Sequence, residues 1–321
     1  VNDCNQLQLV QNEFAIIDSL ITSIFDILLM RFNSLILKII LYATLVACFS
    51  ACSQQSDSPE DGFKDQHIAT EQWHLSLSAG IGVITNPLRG GDNIPLVLIP
   101  QVAFYAEQWF FDNGRLGYSF VQTPKHQFNF VSELNTESRF FINWHPRNIF
   151  SLSSSSLSSQ VVDEDNSSPA RYANINDVQK RHIAFDVGAA YHYVKNDANV
   201  FSIQTLHDIT SVYNGIHAAM QWQYHTQIGQ LKLKQTMGIN YKSAELNNYF
   251  YGLKAGETQF GKIDVGSSWQ PYAKIDARWP LSKANSLRFH LAYYDYSAMD
   301  SSPLFERTYS MTAFIGLDHT F

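Results

Sequence analysis

The residues of this 321-residue chain best suited to chemistry are its eleven histidines and its scattered carboxylates. His182, His192, His217 and His290 alternate with apolar neighbours, and Asp186, Asp208, Asp276 and Glu257 lie in comparable stretches. A phospholipase-like Ser-His pair, or an Asp-His protease site, needs such groups within hydrogen-bond reach of one another. These residues sit on separate segments, so their spacing offers no test. The sequence carries no Gly-x-Ser-x-Gly elbow, no His-Glu-x-x-His helix and no Walker loop. A hydrogen-bonded network filling a polar interior is the simpler use for them, so the expectation is no enzyme activity, no cofactor and no metal.

Other groups point the same way. The only thiols are Cys4, Cys48 and Cys52, which leaves the body of the chain without a disulfide framework or a cysteine-rich metal site. Net charge is −7, which gives no basic face for nucleic acid. Lys232, Lys234, Lys274, Arg278 and Arg288 alternate with apolar residues, against Asp186 and Asp276. They either line a weakly selective pore or pair across an interior and close it.

The elements that must position these groups have a period of two. Charged residues make up only 16% of the chain and aromatic residues 14%, a balance that suits a surface facing lipid with aromatic girdles. From Trp73 onward, segments of about ten residues alternate, the length of a tilted membrane strand. The clearest are Trp73–Ile84, His182–Val194, Asn214–Tyr224, Leu231–Tyr241, Trp269–Trp279 and the stretch around Leu287–Tyr293. Less regular strands are expected at Leu96–Ala106, Arg115–Gln122, Gln127–Leu134, Ser138–Trp144 and Val200–Ile209. The face opposite the apolar one mixes Gly, Ser, Ala and His with a few charges, as a crowded wet lumen would. The last segment runs from Tyr309 to Phe321 and ends on an aromatic residue. With Gly316 and Phe321 it resembles the signal read by the barrel-assembly machinery, although His319 stands where an apolar residue is usual. The predicted fold is all-β, a transmembrane antiparallel barrel of about 12 strands, with 10 as the alternative.

The N-terminal part reads as processing. A short basic region from Met30 to Lys38, an apolar run from Ile39 to Ala51 and a polar stretch after it have the order of a signal peptide. Residues 30–52 are assigned to that signal, 53–72 to a polar linker and 73–321 to the barrel. Residues 1–29 are either an N-terminal helix or, as favoured, an over-extended start ahead of Met30. Leu45-Val46-Ala47-Cys48 has the look of a lipobox, and Phe49-Ser50-Ala51-Cys52 is a poorer version. Cys48 or Cys52 is thus a candidate for lipidation, with ordinary cleavage as the alternative. The Ser-rich, acidic stretch at about 151–170 reads as a long loop.

Three stretches carry a family likeness. They are Leu206-His207-Asp208-Ile209-Thr210 with Asn214-Gly215, Asn248-Tyr249-Phe250-Tyr251-Gly252-Leu253 with Glu257, and Ser302-Pro303-Leu304. From about Leu75 to Phe321 the chain resembles the MipA/OmpV family of outer-membrane proteins, departing from it at Phe250 and Thr258. The resemblance implies an outer-membrane location and a scaffold role that links a murein-degrading lytic transglycosylase to a murein synthase. A narrow solute channel is the alternative and an outer-membrane hydrolase a distant one. Asp208, Tyr249, Tyr251 and Glu257 are the candidate partner or ligand contacts. For Asp208, a strand-end carboxylate capping a turn is the simpler role.

Overall fold

The computed structural model describes residues 71–141 and 172–321. Among these residues, twelve antiparallel strands form a closed ring. In chain order they are β1 (Trp73–Ile84), β2 (Ile94–Tyr105), β3 (Trp109–Asp112), β4 (Arg115–Gln122), β5 (His126–Leu134) and β6 (Phe185–Asn196). The ring continues with β7 (Asn199–Asp208), β8 (Ile216–Ile228), β9 (Leu231–Lys242), β10 (Ser268–Pro280), β11 (Asn285–Asp295) and β12 (Tyr309–Thr320). Each strand pairs with its neighbours in sequence, and β1 pairs with β12 from Ser76↔Thr320 to Ile84↔Thr312. Pairing of β1 with β12 removes the two terminal sheet edges, while the short β3 meets β2 only over Ala103–Tyr105 and leaves the β3 side of Ile94–Gln101 without a strand partner among the described residues. Among the described residues no helix is long and apolar enough to cross a membrane.

Alternation sets which way the side chains point. In β1, Ile81 is 81% exposed on the outer face, while Ser78 on the lumen side is completely buried. Leu116, Phe130, Ile203, Met220, Phe289 and Ile315 continue the exposed apolar band around the ring. Trp73, Trp109, Trp269 and Trp279 stand exposed at strand ends, where membrane interfaces favour aromatic rings. The closure seam needs small residues. Gly80 lies opposite Gly316, and a Cβ on Gly80 would overlap the Ile315 carbonyl.

Two strand expectations change. Ser138–Trp144 is not a strand where described: Glu137–Phe140 forms a 3-10 turn that buries Ser138 and Phe140, and residues from 142 lie outside the described range. Phe140 and Phe141 leave the wall because both are taken into an apolar core formed by the loops. The strand that replaces it, β3, is only four residues long. Its Trp-Phe-Phe run hides the alternation: Phe110 packs inward against Gly117, while Trp109 is exposed. The expected number of twelve strands therefore holds with one member exchanged. His182 also falls outside the wall, since β6 begins only at Phe185.

Both described termini and the short connections 106–108, 123–125, 197–198, 229–230 and 281–284 lie at one end of the ring. The long connections 85–93, 209–215, 243–267 and 296–308, and the described parts 135–141 and 172–184 of another, lie at the other. Short turns on the periplasmic side and long loops outside are the usual asymmetry of such barrels. The expected signal peptide at 30–52, with Cys48 and Cys52, and the Ser-rich stretch at 151–170 lie outside the described residues.

Candidate functional site

The five long loops root along the rim from β5 round to β2, leaving out the short β3–β4 hairpin, and their apolar side chains meet in one buried cluster. Leu88 comes from the first, Phe140 and Ala173 from the second, and Tyr213 from the third. Leu246, Phe250, Tyr251 and Leu253 come from the fourth, and Met299, Leu304 and Phe305 from the fifth. Loops that start on opposite sides of a ring can share one core only by reaching across its mouth. The barrel therefore carries a packed cap, built like the interior of a soluble protein.

Each stretch that carries the family likeness is a working part of this cap. The helix α1 (Ala244–Tyr251) starts at Ser243, whose Oγ accepts from the Leu246 N–H as an N-cap and from the Ile216 N–H at 3.1 Å. Asn247 Nδ2 donates to the Gly266 carbonyl at 2.7 Å, and Asn248 Oδ1 accepts from the Val265 N–H at 2.6 Å, which folds the loop back. Phe250 and Tyr251 fill the core with no exposed surface. Gly252 is required because a Cβ there would press on the Asn248 and Ile263 carbonyls. Ser302 Oγ donates to the Tyr251 carbonyl at 2.6 Å, and the Pro303 carbonyl accepts from the Ala173 N–H at 3.0 Å.

Asp208, Tyr249, Tyr251 and Glu257 all point into the cap. The two oxygens of Asp208 accept from the backbone N–H groups of Thr210, Tyr213 and Asn214, the turn-capping role. The Tyr249 hydroxyl accepts from the His182 N–H at 2.9 Å. Glu257 pairs with Arg181 at 2.6 Å, and neither side chain has any exposed surface. Burial pushes the Glu257 carboxyl up, but hydrogen bonds from Arg181 and from the Lys254 and Gln179 backbones outweigh it and hold the group below its ordinary value. Arg181 was not singled out in the sequence. It donates to the Phe250 and Gly252 carbonyls and so fastens the second loop to the fourth. An arginine on an irregular segment has no periodic signal, and only the later Glu257 hints at it.

Under the cap, Glu137 pairs with Lys242 at 2.7 Å and accepts from the Tyr251 hydroxyl. Burial raises the Glu137 carboxyl, yet Lys242 prevails and its pKa is lowered. Below this the lumen wall is lined with ion pairs between near-neighbour strands and one longer Arg–Gln contact. Arg115 pairs with Glu133 at 2.6 Å and donates to Gln204. Arg288 and His290 meet Asp276 at 3.1 and 3.0 Å, His217 approaches Asp186 at 3.3 Å, and Arg278 reaches Gln101 at 3.2 Å. The lumen thus pairs His217 with Asp186 and, separately, His290 with Asp276, and leaves out His182 and Glu257. One Ser-His pair occurs in the lumen, Ser202 with His192 at 2.7 Å. The two are opposite neighbours in the β6–β7 register, and the charged neighbour of His192 is Arg115, a cation. Among the described residues no group of three or more His, Cys, Asp or Glu gathers as metal ligands.

Gly316 and Phe321 occupy contrasting places. Gly316 lies in the closure seam between Gly80 and Arg288. Phe321 is exposed, held by its backbone N–H to the Leu75 carbonyl at 3.0 Å.

A closed twelve-strand ring with an apolar outer band, aromatic ends and a polar capped lumen defines an outer-membrane β-barrel protein. The family model described as "MltA-interacting protein MipA" matches residues 77–321, and the chain belongs to that family. The outer membrane protein YiaT of Escherichia coli K12 is 22% identical over 251 residues, covering 77% of this chain and 91% of YiaT. The same protein from Escherichia coli O157:H7 matches equally. Among solved structures, the NanC porin matches 77% of this chain and all of its own, at 7% identity and a TM-score of 0.39. An outer-membrane channel from Pseudomonas putida F1 matches 83% and all of its own, at 6% identity and a TM-score of 0.35. The protein is located in the outer membrane.

Proposed function

We propose that this barrel is a non-catalytic outer-membrane scaffold that tethers murein-remodelling enzymes to the membrane. The observation that carries the reading is the cap: five loops packed into one core over a lumen laced with ion pairs. Such a body is stiff and closed at its outer mouth, which suits a fixed platform better than an open conduit. The family's description names an interaction with MltA, and in this chain the enzyme-facing surface would be the short-turn end together with the linker at 53–72. Under this reading Asp208, Tyr249, Tyr251 and Glu257 act by holding the cap rather than by touching a partner. Export through residues 30–52, a lipid on Cys48 or Cys52, and recognition of Gly316 and Phe321 by the assembly machinery belong to the same proposal.

The test is co-purification. The full chain, extracted from outer membranes, should retain a lytic transglycosylase and a bifunctional murein synthase through a high-stringency wash. Recovery of neither enzyme, with the barrel intact, contradicts the scaffold. A narrow channel is the second reading, favoured by the excess of lysine and arginine over carboxylates in the lumen.

A further inference from the structure

Beneath the cap the lumen encloses a cavity of about 280 Å³, near the lower end for ligand sites. Its charges do not balance. Arg115, Arg139, Lys242 and Lys274 line it against only two carboxylates, Glu133 and Glu137. Glu133 is taken by Arg115 and Glu137 by Lys242, each within 2.7 Å. Arg139 and Lys274 remain without a carboxylate of their own, and hydrogen-bond instead to the Tyr296 and Tyr294 hydroxyls. The nearest acid along β10 is Asp276, which is already engaged by Arg288 and His290. Lys274 Nζ lies 4.8 Å from the Tyr272 ring centre and 5.6 Å from that of Tyr294. Arg139 sits over the Phe140 ring at 4.7 Å, and its Nε is buried without a hydrogen-bond partner. A buried donor left unmade is costly, and two cations in a confined space repel each other.

The neutral wall adds more donors. Gln204 and Gln221 give their carbonyl oxygens to Arg115 and to the Tyr272 hydroxyl. Their amide N–H groups are what they have left to offer. The interior therefore presents cations and N–H donors in a chain whose net charge is −7.

We propose that this cavity binds a small organic anion bearing hydroxyl groups, its acid group held between Arg139 and Lys274 and its hydroxyls against Gln204 and Gln221. The site is independent of the murein partners. D-gluconate, inorganic phosphate and neutral D-glucose, titrated calorimetrically into the full-length barrel in detergent at fixed ionic strength, test it. Gluconate should bind and glucose should not. Arg139→Gln and Lys274→Met should each weaken gluconate at least tenfold, while Lys274→Arg stays within about threefold of the parent. Each variant must keep the heat-modifiable mobility of a folded barrel. If a charge-removing variant fails that control, suppression of gluconate binding by phosphate in the parent protein decides the matter. Binding that phosphate does not suppress overturns the proposal. So does absence of gluconate binding, equal binding of glucose, or unchanged binding in the folded charge-removing variants. Phosphate binding without gluconate binding overturns the assignment to a hydroxylated organic acid.

Discussion

A single ion pair, Arg181–Glu257, shows how far one residue's surroundings decide its role. Both side chains lack any exposed surface, so removing one partner leaves a buried charge uncompensated. Arg181→Ala should cost the cap about 3–5 kcal/mol of local stability. Hydrogen exchange or limited proteolysis of loop 243–267 reads this directly, with the strand amides unaffected. The pair also makes the cap acid-sensitive. Glu257 has a folded pKa below its ordinary value of 4.5. Its contribution is therefore complete above about pH 4.5 and is lost as pH falls through the lower folded value. Cap protection at pH 7 and pH 5 should be alike, and should drop on further acidification by more in the parent than in Glu257→Gln, which keeps only the contributions of Glu137 and Asp208.

At the level of the strand, closure and assembly make separate demands on β12. Gly316 faces Gly80, and a Cβ would sit 2.6 Å from the Ala79 carbonyl. Gly316→Val should destabilise the folded barrel by at least about 1–3 kcal/mol, seen as a lower temperature for loss of the compact band on a detergent gel. Phe321 makes no comparable demand, because its ring is exposed and only its backbone is bonded. Phe321→Ala should lower the amount inserted in the outer membrane yet leave that unfolding temperature unchanged.

The strands themselves were largely legible in the sequence. A barrel wall faces lipid on one side and water on the other, so period two is imposed on every long strand. The two errors lie where that condition fails. β3 is four residues long with aromatic rings on both faces, and Phe140–Phe141 serves the cap instead of the wall. The cap was not legible, because a core assembled from five loops has no period. Its parts show in the sequence only as the Asn-Tyr-Phe-Tyr-Gly, Leu-His-Asp and Ser-Pro-Leu stretches, which carry a family likeness but no sign of the core they share.

On the scale of the whole molecule, the chain divides into a lipid-facing wall, a lumen rich in cations and a soluble-like lid. The wall places the protein in the outer membrane, and the lid removes the open outer mouth that a general pore requires. Lumen contacts reinforce this, since Arg288–Ser78 and Arg278–Gln101 tie the β10–β11 side toward β1 and β2. The barrel is therefore capped and cross-braced, and its conductance reports on this. In planar bilayers at neutral pH the parent protein should be silent. Arg181→Ala, with its cap unlatched, should show brief openings that favour anions, following the surplus of Arg139 and Lys274. A steady single-channel current from the parent protein would contradict the sealed cap, and the scaffold reading with it.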